Sequence, residues 1–177
     1  MDVKRWIKVG LMFQMIFVLA IFSPMAQYAD AQDNKPVKIA VVGPHSGDLA
    51  SYGIPTVRAA ELLVEKKNAM GGINGQKIEL VVEDDVCKPE VAVNSATKVI
   101  GEEVTAVLGH ICSGATKAAL GIYKGSNIPA ISPSATNPAL TQSGDYPNFF
   151  RTIASDDAQA RLEVDFAVDV LKVSKIA

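Results

Sequence analysis

From Val37 onward one pattern repeats: a short apolar run, a loop of small residues, then a longer segment with helical spacing. Val37 to Val42 reads VKIAVV, a nearly continuous apolar run of the kind that forms a strand covered on both faces of a parallel sheet. It gives way at Gly43 to GPHSGDLASYG, after which Pro55 stands in the first turn of a helix that runs to about Met70 and stops at Gly71-Gly72. Lys77 to Glu83 (KIELVVE) predicts the second strand and Asp84 to Cys87 the loop beyond it. Pro89 then opens a helix with Ala92, Ala96 and Val99 on one face as far as Gly101. Val104 to Leu108 and Pro129 to Ile131 predict the third and fourth strands, with a helix from Ser113 to about Lys124 between them, and Asn148 to Ile153 a fifth. Strands that alternate with helices through short connections lie parallel, with right-handed crossovers. The fold class is therefore α/β, with a parallel, Rossmann-like sheet.

A capping box, Asp156 with Gln159, predicts a last helix whose apolar stripe is Ala160, Val164, Ala167 and Leu171. Val173 to Ala177 reads as the start of a further strand, so the chain reads as a fragment cut where the next unit would continue.

The N-terminus has another purpose. Lys4, Arg5 and Lys8 precede an almost wholly apolar stretch from Val9 to Ser23, and Ala29-Asp30-Ala31 offers small residues at the two positions a signal peptidase reads. The reading is a signal peptide over residues 1 to 31, cleaved after about Ala31. The apolar stretch is shorter than the ~20 residues of a spanning helix, so no direct membrane insertion is expected after cleavage. No cysteine lies near the cleavage site, which argues against a lipid anchor. Export places Cys87 and Cys112 in an oxidising compartment. Each follows a predicted strand, which places both near one sheet edge and predicts a disulfide worth ~3.5 kcal/mol on the chain-entropy model. Loss of Lys4, Arg5, Lys8, Asp2 and Asp30 takes the 17 basic and 19 acidic side chains to 14 and 17. No basic surplus remains to attract nucleic acid or an anionic membrane.

Two segments carry the candidate site: Gly109 to Thr116 (GHICSGAT) and Ser132 to Thr136 (SPSAT). Ser113 stands where a helix N-cap belongs, and a helix N-terminus offers unpaired N–H groups that hold a carboxylate without Arg or Lys. Thr136 supplies a second hydroxyl, and the backbone carbonyl of Ser134 an acceptor for an ammonium group. Donors on one side and acceptors on the other suit a zwitterion. The plainer alternative is a helix cap and a turn. In open α/β sheets ligands bind beyond the strand ends, and four loops lie there: Gly43 to Gly53, Asp84 to Cys87, Gly109 to Ser113, and Ser132 to Thr136.

Other chemistries fit poorly. GPHSGDLASYG lacks the Gly-Lys-Ser/Thr ending of a phosphate loop, and no G-x-G-x-x-G follows a strand, so no nucleotide or other cofactor is expected. Ser113 is not framed as G-x-S-x-G, although His110 or His45 as base, with Asp84 or Asp85 as orienter, keeps a secreted serine hydrolase as the rival reading. The plainer role for His110 is to pack at a strand end and hydrogen-bond the backbone. The two histidines are far apart in sequence, so no metal site is expected.

Taken together, KIAVVGPHSG, the YG before the first helix, AMGGINGQKIELVVEDD, the Cys87/Cys112 pair, GHICSGAT, ISPSATNPALT and FFRT resemble the periplasmic substrate-binding proteins of branched-chain amino acid ABC transporters, from Val37 to Ala177. The resemblance implies a type I, venus-flytrap fold, with residues 32 to 36 as a tail, 37 to 172 as the first lobe, 173 to 177 as the start of the crossover, and the second lobe missing. It implies that Ser113 and Thr136 hold the ligand's carboxylate and ammonium, that the Ser134 carbonyl takes the ammonium, that Tyr52 lies over the ligand, and that Ile111 and the disulfide line the side-chain pocket. Ser134 replaces a more usual alanine, a difference expected to matter little if only its carbonyl is used. The implied function is capture of an aliphatic amino acid for delivery to a membrane permease, without catalysis. Relatives that take an amide, urea or an aromatic acid look similar in the first lobe.

Overall fold

The computed structural model describes residues 35–173 and 175. The signal peptide reading, part of the tail, and Ser174, Ile176 and Ala177 lie outside the described residues. Five strands, β1 (Val37–Gly43), β2 (Ile78–Asp84), β3 (Ala106–Gly109), β4 (Ala130–Ser132) and β5 (Phe149–Arg151), form one sheet in the order β2-β1-β3-β4-β5. Every pairing is parallel, as the alternation of strands and helices requires. From β1 the chain steps outward to β2, then returns past β1 to build β3, β4 and β5 on the other side. The switch point therefore lies between β1 and β3, where Val42 faces Gly109.

Helices α1 (Ala50–Ala69), α2 (Pro89–Gly101) and α3 (Ser113–Gly125) follow β1, β2 and β3, and a short α4 (Ala139–Gln142) follows β4. Strand residues alternate between faces. Ala40, Val42, Val107 and Ala130 join Ala96 and Val99 of α2, Ala119, Leu120 and Tyr123 of α3, and Leu140 of α4 in one buried core. Full burial of Leu120 or Leu140 contributes ~1.5–3 kcal/mol each. The opposite face carries Val41, Leu108 and Ile131 against α1, with an open apolar groove of about 310 Å³ that also touches Leu63 and Pro133.

Helix α1 begins at Ala50, five residues before Pro55, so the proline stands inside the helix and not in its first turn. Pro55 removes only the bond to the Ser51 carbonyl, and both residues are exposed. Gly53 is required here: a Cβ would stand 2.0 Å from the Pro44 carbonyl oxygen, which is how closely α1 approaches the end of β1.

The last helix, α5 (Asp156–Asp165), continues as a π-helical turn over Phe166–Val170. Its N-cap is Ser155, not Asp156, which moves Gln159 one position too far along to close a capping box; Gln159 donates to Glu163 Oε1 at 2.8 Å instead. No residue of α5 or the π-helical turn is buried, and the expected stripe of Ala160, Val164 and Leu171 is exposed. Phe166 and Val170 are exposed as well. The strand expected from Val173 is not formed at Val173 or Lys175.

Candidate ligand-binding site

The ends of β1, β2 and β3 are level, because Gly43 pairs with Asp84 and Val42 with Gly109. Beyond them stand three loops and the N-terminus of α3. Cys112, extended at φ −91° and ψ 134°, is the N-cap, so Ser113 is the first residue of the helix and not its cap. The first intrahelical bond runs from Thr116 N–H to the Cys112 carbonyl at 2.9 Å. The N–H groups of Ser113, Gly114 and Ala115 thus have no acceptor inside the helix and present the positive end of its dipole. Ser113 Oγ accepts the Asn137 N–H at 3.2 Å, which leaves its own proton to donate.

The two serine-rich segments are stitched together. Ser132 Oγ donates to the His110 carbonyl at 2.5 Å and accepts the Ala135 N–H at 2.9 Å. Ser134 Oγ donates to the Ile111 carbonyl at 2.7 Å. The Ser134 side chain is therefore engaged within the protein, a use in addition to the one expected of its backbone carbonyl. Arg151 at the end of β5 grips the same loop: its guanidinium donates to the carbonyls of Ala135 and Asn137 at 3.2 and 3.0 Å, and to the Thr141 hydroxyl. Thr136 is fixed from behind, its carbonyl accepting Asp156 N–H at 3.0 Å. Arg151 was visible in sequence only as part of FFRT; a lone cation after two phenylalanines gives no sign that its partners include carbonyls 13 to 16 residues earlier.

Asp84, at the end of β2, organises the third wall. Its carboxylate accepts from His45 N–H and Val86 N–H at 2.9 Å each and from Ser46 Oγ at 2.5 Å. Burial opposes its charge, but the Ser46, Val86 and His45 donors together outweigh that and hold its pKa below the ordinary value. Val86 and Cys87 both have positive φ, 43° and 60°, a conformation that costs such residues ~1–2 kcal/mol each. Two carboxylates hold them there, since Asp85 Oδ1 accepts Cys87 N–H at 2.8 Å. Cys87 and Cys112 are joined by a disulfide, with Cα atoms 5.6 Å apart. Tyr52 is 67% exposed on the first turn of α1, and among the described residues no hydrogen bond joins it to the hydroxyl set. Ile111 is 8% exposed and packs over Gly43, where an added Cβ would meet it at 2.7 Å. Both ring nitrogens of His45 are buried without a partner, and burial, only partly offset by Asp84, Asp85 and Glu83, lowers its pKa.

His110 does not pair with Ser113. Its Nδ1 meets Asp85 Oδ2 at 2.6 Å and its Nε2 meets the Tyr123 hydroxyl at 2.8 Å, with all three side chains buried. The expectation that its side chain bonds to the backbone is corrected: the side chain bonds to two side chains, and only its carbonyl takes Ser132 and Thr116. With both nitrogens engaged, His110 is no base for Ser113. Among the described residues no group of three His, Cys, Asp or Glu could hold a metal, and no helix is long and apolar enough to cross a membrane.

A parallel sheet with a polar cradle at its switch point, built from a helix N-terminus and hydroxyl-bearing loops, defines one lobe of a type I ligand-binding protein. Residues 36–177 match the periplasmic binding protein family, and the chain belongs to that family. It is 41% identical over 163 residues to an amino acid binding protein of Pseudomonas aeruginosa, covering 92% of this chain and 43% of that one. It is 39% identical over 156 residues to the Leu/Ile/Val-binding protein of Escherichia coli, covering 88% and 41%. Among solved structures, the branched-chain amino acid transporter substrate-binding protein of Streptococcus pneumoniae in complex with isoleucine superposes with a TM-score of 0.71 at 35% identity, covering 78% of this chain and 39% of that one. The chain spans about two fifths of the length of these relatives.

Proposed function

We propose that this chain is the first lobe of an exported solute-binding protein that captures an aliphatic, branched-chain amino acid and delivers it to the permease of an ABC transporter, with no chemistry of its own. The observation that carries the reading is the start of α3, where open N–H groups and the Ser113 hydroxyl stand opposite the Ser134–Thr136 loop that hydrogen bonds hold in place. In this reading the carboxylate sits on the helix N-terminus and Ser113, the ammonium meets Thr136 and the Ser134 carbonyl, and Tyr52, Ile111 and the disulfide bound the side chain. In this reading residues 1 to 31 are a signal peptide that directs the mature protein to the periplasm, as the family's periplasmic members support. The relatives whose names specify leucine, isoleucine or valine, and the isoleucine-bound neighbour, support the ligand class.

One lobe leaves the ammonium and side chain in water, where charged contacts lose most of their strength. The 177-residue chain is therefore expected to bind leucine with a dissociation constant on the order of millimolar or weaker. Isothermal titration of this chain and of the full-length protein with leucine, an amide and benzoate tests the reading. Strong leucine binding by the full-length protein supports it; strong binding of the amide or benzoate alone sinks it, and micromolar binding by this chain alone overturns the two-lobe account.

A further inference from the structure

We propose that the buried Asp85–His110–Tyr123 chain of hydrogen bonds holds the ligand-gripping elements in register, and that it does so independently of the neighbouring disulfide. The proposal rests on the ligand-binding reading above. Two links join the loop after β2 to the loop after β3. One is covalent, Cys87–Cys112, between half-buried residues. The other is Asp85 to His110 at 2.6 Å, between side chains with no exposure to water. Unlike the disulfide, the second link continues inward, because His110 Nε2 meets the Tyr123 hydroxyl at 2.8 Å.

The chemistry gives the ring one orientation. A carboxylate only accepts, so Nδ1–H donates to Asp85, and Nε2 accepts the Tyr123 proton. Burial, with the Asp85 charge, raises the Tyr123 pKa and keeps that proton on the phenol. Asp85 is committed on both oxygens, since Oδ1 takes Cys87 N–H. Tyr123 lies ten residues along α3 from Ser113, so its grip on His110 sets how far the helix N-terminus stands from the end of β3. The His110 carbonyl accepts from Ser132 at the end of β4, at 2.5 Å, and lies 3.3 Å from the Thr116 hydroxyl in the first turn of α3, whose shorter bond is to the Cys112 carbonyl at 2.9 Å. A single residue thus touches the β2 loop, both ends of α3 and the end of β4. These are positioning residues: none is placed against the ligand.

An ordinary buried pair supports stability and leaves the affinity of folded molecules alone. A positioning chain changes affinity in molecules that remain folded. The test uses the full-length protein and leucine calorimetry at a temperature where circular dichroism shows each variant folded. Cys87→Ser with Cys112→Ser alters a wall of the proposed side-chain pocket, so this variant is read without ligand, by the state of His110. Asp85→Asn, which satisfies only one of the two N–H donors, is expected to lose roughly tenfold, and Tyr123→Phe a similar amount. His110→Leu is expected to lose at least as much, and His110→Asn, which restores an N–H toward Asp85 but not the link to Tyr123, to lose about as much as Tyr123→Phe. Should Asp85→Asn not fold, Tyr123→Phe carries the same comparison. Unchanged affinity in folded Tyr123→Phe overturns the proposal. A ligand-free arm separates this from the functional reading: the Nδ1–H proton of His110 should remain visible and protected from solvent exchange by NMR in the double serine variant. Its disappearance overturns independence from the disulfide whether or not leucine binds.

Discussion

Helices α3 and α5 read alike in sequence, each with an apolar stripe after a hydroxyl or acidic start, yet they end in opposite environments. Helix α3 buries Ala115, Thr116, Ala119, Leu120 and Tyr123 beside α2, on one face of the sheet. Helix α5 buries nothing, and Leu162 on it is 70% exposed. An amphipathic pattern states that a helix has an apolar side; it does not say what will cover it. The proposed carboxylate-binding groups, Ser113 and the open N–H groups, stand at the start of the helix that buries its apolar face, where a rigid geometry can be held.

The sharpest way to break this contrast is truncation on each helix. Leu120→Ala in α3 is expected to lower unfolding free energy by about 2–5 kcal/mol, whereas Leu162→Ala in α5 should change it by less than about 0.5 kcal/mol. Urea denaturation of the 177-residue chain measures both, and similar costs would show that α5 has a packed partner.

The disulfide belongs to the ordered side of the contrast. Its reduction is expected to cost ~3.5 kcal/mol of stability, since it closes a loop with a sequence separation of 25. Thiol titration of exported protein, denatured without reductant, should find no free thiol; two free thiols would refute the bridge.

A smaller effect sharpens the functional half of the comparison. Ser113→Ala and Thr136→Ala in the full-length protein each remove a hydrogen bond to a charged ligand group, worth ~1.5–3 kcal/mol, or roughly 10- to 150-fold in affinity. Their thermal unfolding should stay near that of the parent. Parent-like leucine affinity in both would put the cradle elsewhere.

The smallest expected effect is a pH dependence carried by His45. Burial lowers its pKa in the folded protein, so below 6.5 the unfolded chain takes up a proton that the folded one refuses. Stability should therefore fall as pH drops from 6.5 to the lower folded value, then level off as far as this group is concerned. His45→Leu should flatten that part of the curve, and an unchanged slope would assign it to another group.

Local pattern was enough for much of this. The runs VKIAVV and KIELVVE mark β1 and β2 within a residue or two, the alternation of strands and helices dictates a parallel sheet, and two cysteines after strands foretell a bridge at its edge. All of these rest on interactions between near neighbours in the chain or on rules that hold for any strand–helix alternation. Packing decided the rest. Pro55 sits inside α1 where it and Ser51 are both exposed, and Ser113 became the first helical residue because Cys112 took the cap. The role of Arg151, the use of the Ser134 hydroxyl and the Asp85–His110–Tyr123 chain each join groups 10 to 25 residues apart. Such pairings depend on which loop ends the sheet brings level, and spacing along the chain carries no record of that.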